Sequence, residues 1–133
     1  MHRYQVLIEY LGTNFVGWQI QTKGKSIQKL IQINLSKLLK EQILLVGSGR
    51  TDAGVHATEQ SAHFECKKEI QNLDKFLRSI NHFVNDMNVS IINIKKRNLN
   101  FHARFSAKQR IYKYVIFNRL SKPSLEKERG WHI

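Results

Sequence analysis

Hydrophobic residues in this chain change period along its length, and the order of the changes admits few folds. Between Arg3 and Tyr10, Tyr4, Val6, Ile8 and Tyr10 share one side of an alternating run, and Gln5, Leu7 and Glu9 the other. Period two marks a strand with one buried face. Ser26 is a helix N-cap residue type. Ile27, Leu30, Ile31, Leu35, Leu38 and Leu39 follow it at helical spacing, which predicts a helix over 26–41. The apolar run Gln42–Val46 reads as a short buried strand, and Glu59–Cys66, with Ala62 and Phe64, as another. Leu73, Phe76, Leu77, Ile80 and Val84 predict a second helix over 73–84. Asn88–Ile94 and Arg110–Phe117 are rich in β-branched or aromatic residues and read as strands. The order β-α-β-β-α-β plus one further strand predicts an α+β chain of the ferredoxin-like split βαβ type, with an antiparallel sheet.

Two segments stand outside this pattern, and both are rich in glycine. Leu11–Lys25 carries Gly12, Gly17 and Gly24 and reads as a long loop, a length that in a compact domain points to function. The second is GSGRTDAGVHA, residues 47–57, in which three glycines surround one arginine and one aspartate, Arg50 and Asp52.

Charge narrows the class of partner. Lys and Arg number 22 against 10 Asp and Glu, a net charge of +12. From Met87 to Leu125 there are nine basic residues and no acidic one: Lys95, Lys96, Arg97, Arg104, Lys108, Arg110, Lys113, Arg119 and Lys122. A one-sign stretch of this kind suits a polyanion such as nucleic acid. In FHARFSAKQRIYKY, residues 101–114, aromatic rings alternate with cations, a composition fit for stacking on bases while neutralising phosphates. The bland alternative makes Phe101, Phe105, Tyr112 and Tyr114 ordinary strand core and the lysines a solvated surface.

Other chemistries lack their residues. No apolar run approaches the length of a membrane span, and MHRYQVLIEY has no signal-peptide block. No basic stretch carries a clean amphipathic helical face for a membrane surface. The single cysteine, Cys66, cannot form an internal disulfide and suits a reducing cytoplasm. His56, His63 and His102 are not at metal-ligand spacing, so no metal is expected. There is no G-x-S-x-G elbow and no Walker loop. Asp52 is the only acidic residue between Glu41 and Glu59, which leaves no paired-carboxylate hydrolase. What remains is one carboxylate on a glycine bend beside an arginine. An Asx-turn aspartate and a solvated arginine would look the same.

The blocks YLGTNFVGWQIQ (10–21), GSGRTDAGVHA (47–57) and FHARFSAKQRIYKY (101–114) resemble the tRNA pseudouridine synthase A family, in the family's order and along essentially the whole chain. The resemblance implies an isomerase that converts uridine to pseudouridine on the 3′ side of the tRNA anticodon stem-loop. The N-glycosidic bond breaks, the uracil turns and a C–C bond forms, with no cofactor and no metal. It implies Asp52 as the catalytic carboxylate. It implies Arg50 as an aid to flipping the base, Tyr112 as the ring that stacks on the target uracil, and Arg104 and Arg110 as RNA contacts of a basic cleft. Trp18 and Gln19 are expected to support the loop. A cytoplasmic homodimer spanned by the tRNA is a further implication.

This chain departs from the family pattern in three places. Leu11 stands where the family usually has Asp. Residues 81–88 carry Phe-Val-Asn-Asp-Met where the family commonly has a Leu-Pro-Asp-type turn. Family members build the cleft from two similar halves. Here residues 1–100 correspond to the first half and 101–133 to the start of the second. The chain ends at Gly130-Trp131-His132-Ile133 without a polar tail, which reads as an interruption. The expectation is therefore that this piece alone, lacking the later arginine that pairs with the aspartate, is inactive. The rival expectations are a non-catalytic RNA-binding half-module and a basic domain that assembles into a larger complex.

Overall fold

The computed structural model describes all of residues 1–133. Four strands form one sheet: β1 (His2–Tyr10), β2 (Val46–Gly47), β3 (Ala57–Cys66) and β4 (Val89–Arg97). Their order is β2-β3-β1-β4, with every neighbouring pair antiparallel. Helix α1 (Ile27–Leu39) joins β1 to β2, and α2 (Leu73–Val84) joins β3 to β4. This is the ferredoxin-like arrangement that the period changes predict.

Tyr4, Val6, Ile8 and Tyr10 of β1 are all buried, together with Ala62, Phe64 and Cys66 of β3. From α1 they meet Ile27, Ile31 and Leu35, which recur every four residues, and from α2 Ile80 and Val84. Each large apolar side chain taken out of water here contributes about 1.5–3 kcal/mol. Both helices are tied down at their first turns. Ser26 Oγ accepts the Lys29 amide (3.1 Å) and Asn72 Oδ1 the Lys75 amide (3.0 Å). After α2, a 3-10 turn over Asn85–Met87 ends at Asn88 in the left-handed region, φ 62°. Asn85 Nδ2 closes it by donating to the Val89 carbonyl (2.9 Å), and the Leu11 amide donates to the Asn88 carbonyl (3.0 Å). Two of the sequence's departures from the family pattern thus meet in space.

Two expected strands are not formed as such. Of Gln42–Val46, only Val46 belongs to a strand, although Ile43 and Leu45 are buried. The backbone there is satisfied by side chains of α1 instead. The Ile43 amide donates to Ser36 Oγ (3.0 Å), the Leu45 amide to Gln32 Oε1 (2.9 Å), and Gln28 Nε2 to the Leu45 carbonyl (2.7 Å). Of Arg110–Phe117, only Ile116–Phe117 (β5) is paired, in parallel with Trp131–His132 (β6). A strand exists only where a neighbour completes its ladder, and residues 110–114 have none, whereas the Val115 carbonyl accepts the Trp131 amide (2.7 Å).

Candidate nucleic-acid interface

The two glycine-rich segments are locked together at the Tyr10 end of the sheet. The Trp18 amide donates to the Thr51 carbonyl (3.1 Å) and the Gly54 amide to the Phe15 carbonyl (3.4 Å). Gly17 bridges to Asp52 in a single antiparallel step. The lock explains two of the glycines. Gly17 has φ +113°, and a Cβ there would lie 2.5 Å from the Thr51 carbonyl oxygen. A Cβ on Gly47 would lie 2.7 Å from the Trp18 ring. Trp18 is buried beneath the bend. Side chains complete the join. Tyr10 and Thr51 share a hydroxyl–hydroxyl bond of 2.8 Å, and the Gly12 amide donates to His56 Nδ1 (2.8 Å). Burial pushes the Tyr10 phenol up, partly offset by the Thr51 bond, so it stays a neutral partner.

Asp52 opens the turn that follows, its carbonyl accepting the Val55 amide (3.1 Å), and its side chain is exposed. It belongs to none of the chain's ion pairs, and it does not pair with Arg50. Beside the bend lies a cleft of about 460 Å³ whose walls include Trp18, Gly49, Arg50, Arg104, Arg110 and Tyr112. The four residues expected to touch substrate are therefore brought together, whereas Asp52, on the same bend, is not part of that lining.

Arg110 is the link between the bend and the basic segment. Its Nε donates to the Ser48 carbonyl (2.8 Å) and its Nη2 to the Arg104 carbonyl (3.0 Å). Tyr112 lies against Gly49, its hydroxyl 3.8 Å from where a Cβ would stand. Arg104 leans over the Phe105 ring at 6.0 Å. The core reading of these aromatics fails for three of the four. Phe105, Tyr112 and Tyr114 are 79%, 62% and 91% exposed, and only Phe101 packs inward. The acid-free stretch 87–125 is not one uniform track. Lys96 is bonded to Glu69 (2.9 Å), which holds the Glu69 carboxyl below its usual range, and Arg97 caps the Phe101 ring at 4.3 Å.

The periodicity gives no sign of His63, which is buried on the sheet face away from the helices, between Ala62 and Phe64. A polar residue at that register reads as solvated. Burial above all, with help from Arg3 and His102, lowers its pKa to about 4. The Cys66 thiol is pushed up to about 11, chiefly by burial, and donates to the Lys68 carbonyl (3.0 Å), so it is unreactive. No three His, Cys, Asp or Glu side chains gather as metal ligands, and no helix is long and apolar enough to cross a membrane.

Residues 6–106 match the family model for tRNA pseudouridine synthase. The chain belongs to that family. It is 80% identical over its whole length to the tRNA pseudouridine synthase A of Pelagibacter ubique (strain HTCC1062), covering 54% of that protein. It is 40% identical to the enzyme of the same name from Anaplasma phagocytophilum (strain HZ) and 39% to that from Ehrlichia ruminantium (strain Gardel). Both alignments span 98% of this chain, and 54% and 53% of those proteins. The chain thus spans about half the length of these relatives.

Two outcomes follow from the lock and from His63. Gly17→Ala places a side chain against the Thr51 carbonyl in a left-handed conformation, and is expected to cost about 1–3 kcal/mol. Urea unfolding monitored by Trp fluorescence checks this. His63 in the unfolded chain titrates near 6.5 and in the folded chain near 4, so in between the unfolded state binds the extra proton. Stability is then full above about pH 6.5 and falls as the pH drops toward 4, by at most about 3 kcal/mol. Thermal melts across that window check it, and His63→Asn is expected to flatten the upper part of the curve.

Proposed function

We propose that this chain supplies the catalytic-aspartate half of an enzyme that isomerises uridine to pseudouridine in tRNA, on the 3′ side of the anticodon stem-loop. The observation that carries this reading is one cleft lined by Arg50, Arg104, Arg110 and Tyr112 beside a glycine bend bearing Asp52. Three guanidiniums and one phenol ring in one recess suit a phosphate backbone and an unstacked base. Asp52 acts as nucleophile or base, unpaired and open to an incoming ribose or uracil. Arg50 assists extrusion of the target nucleotide. Tyr112 holds the detached uracil by stacking while it turns. Arg104 and Arg110 neutralise phosphates, and Arg110, through the Ser48 carbonyl, also ties the RNA-facing segment to the bend.

On this reading residues 1–100 form the catalytic half and 101–133 begin the second. The relatives carry nearly as much chain again, and we assign to it the opposite wall of the cleft and the arginine that pairs with Asp52. The enzyme works in the cytoplasm as a homodimer, a feature that rests on the family resemblance alone.

The test is Asp52→Asn in the full-length enzyme carrying this chain. Pseudouridine formation in an anticodon stem-loop substrate is expected to fall at least about a hundredfold, with RNA affinity within several-fold of the unaltered enzyme. Full turnover by the variant would remove Asp52 from the chemistry. Tight RNA binding with no turnover by either form would favour the non-catalytic binding module.

A further inference from the structure

The segment after β4 folds back over the end of the sheet, and one buried histidine receives it. His63 Nδ1 accepts the main-chain amide of Ala103 at 2.9 Å, and both residues are buried, 4% and 2% exposed. Around this bond the segment forms a knot. His63 meets the Phe101 ring edge-on at 6.1 Å and the His102 ring at 4.7 Å. His102 stacks on Phe105 at 4.3 Å, and its Nδ1 lies 3.2 Å from the amides of Arg104 and Phe105. The Ser106 amide returns to the His102 carbonyl (2.7 Å). From β1, Arg3 donates to both the Phe101 carbonyl and Glu65. Arg104 follows Ala103 directly, and its carbonyl is one of the two that hold Arg110.

We propose that His63 is a positioning residue for RNA binding, a neutral acceptor that docks residues 101–106 on the sheet and so fixes Arg104 and Arg110 in the cleft. This rests on the RNA-binding reading above. The Ala103 amide is cut off from water and has one acceptor, and a buried donor left without a partner is costly. The ring must carry its proton on Nε2 to accept at Nδ1. Its low affinity for a second proton keeps that acceptor available throughout the neutral range. The phenyl ring of a His63→Phe variant fills the same space without an acceptor. The carboxamide oxygen of His63→Asn stands close to where Nδ1 does.

The experiment titrates this chain with an anticodon stem-loop RNA at several salt concentrations, for the unaltered protein, His63→Phe and His63→Asn. His63→Phe is expected to bind about tenfold more weakly. Its slope of log K against log salt should be shallower by one to two, as about 0.7–0.9 is lost for each phosphate contact released. The Ala103 amide should exchange faster while the amides of β1 and β3 stay protected. His63→Asn is expected to restore affinity, slope and protection. Unchanged affinity and slope in His63→Phe, or equal defects in both variants, would overturn the proposal. Should His63→Phe not fold, nitrogen chemical shifts of the His63 ring in the unaltered chain decide whether the latch exists. A protonated Nδ1 at neutral pH would overturn it. Failure of the unaltered chain to bind RNA at low salt would instead count against the RNA reading, and with it against any role for His63 in RNA binding.

Discussion

The contact on which the site depends is the main-chain join between residues 12–18 and 51–54. Neither segment has secondary structure enough to hold itself, beyond one 3-10 turn at Gly12–Asn14. Backbone groups taken from water must find partners, and here each loop satisfies the other. The Trp18 amide uses the Thr51 carbonyl, and the Gly54 amide uses the Phe15 carbonyl. Such bonds need the two chains to lie closer than side chains allow, which is why Gly17 faces the Thr51 carbonyl and Gly47 the Trp18 ring. The sheet fixes one end of the join through Tyr10, whose hydroxyl reaches Thr51. The α1 helix fixes the other, since the Ile27 and Gln28 amides bond the carbonyls of Gly17 and Trp18. Asp52 thus stands on a bend whose position is set by the core.

A second consequence concerns where charge is placed. The helices cover one face of the sheet, and the opposite face receives the knot around His63. The guanidiniums of that region are held by neutral carbonyls as much as by acids. Arg110 uses the carbonyls of Ser48 and Arg104, and Arg3 uses both Phe101 and Glu65. A guanidinium held by carbonyls keeps its full charge for an incoming phosphate, whereas one paired to a carboxylate has largely spent it. The Lys96 ammonium, paired with Glu69 at the far end of the sheet, is neutralised in the same way as a carboxylate-paired guanidinium.

The sequence is most readable where periodicity reports burial. β1, α1, β3, α2 and β4 lie where alternation and helical spacing put them, because those patterns are made by the same core they describe. It is less readable where partners outside the local run decide the backbone. Ile43 and Leu45 are buried as their apolar character requires, yet their amides go to Ser36 and Gln32 of a helix, which no local pattern encodes. Residues 110–114 have strand composition but no neighbouring strand to pair with. At the site, the glycine bend with its lone arginine and lone aspartate is visible in sequence as an oddity of spacing. The chemical roles proposed for them rest on the family resemblance. The separation of Arg50, which lines the cleft, from Asp52, which does not, needed coordinates. His63 was hidden because its acceptor role depends on an amide 40 residues away.

The central claim is that the bend at 47–57 and the segment 101–114 form one RNA-facing surface. Amide hydrogen exchange of this chain, with and without an anticodon stem-loop RNA, tests it directly. The account predicts added protection at both segments and at the Trp18 loop beneath them, with little change along the outer surfaces of α1 and α2. Protection confined to the helices, with the bend unaffected, would contradict it.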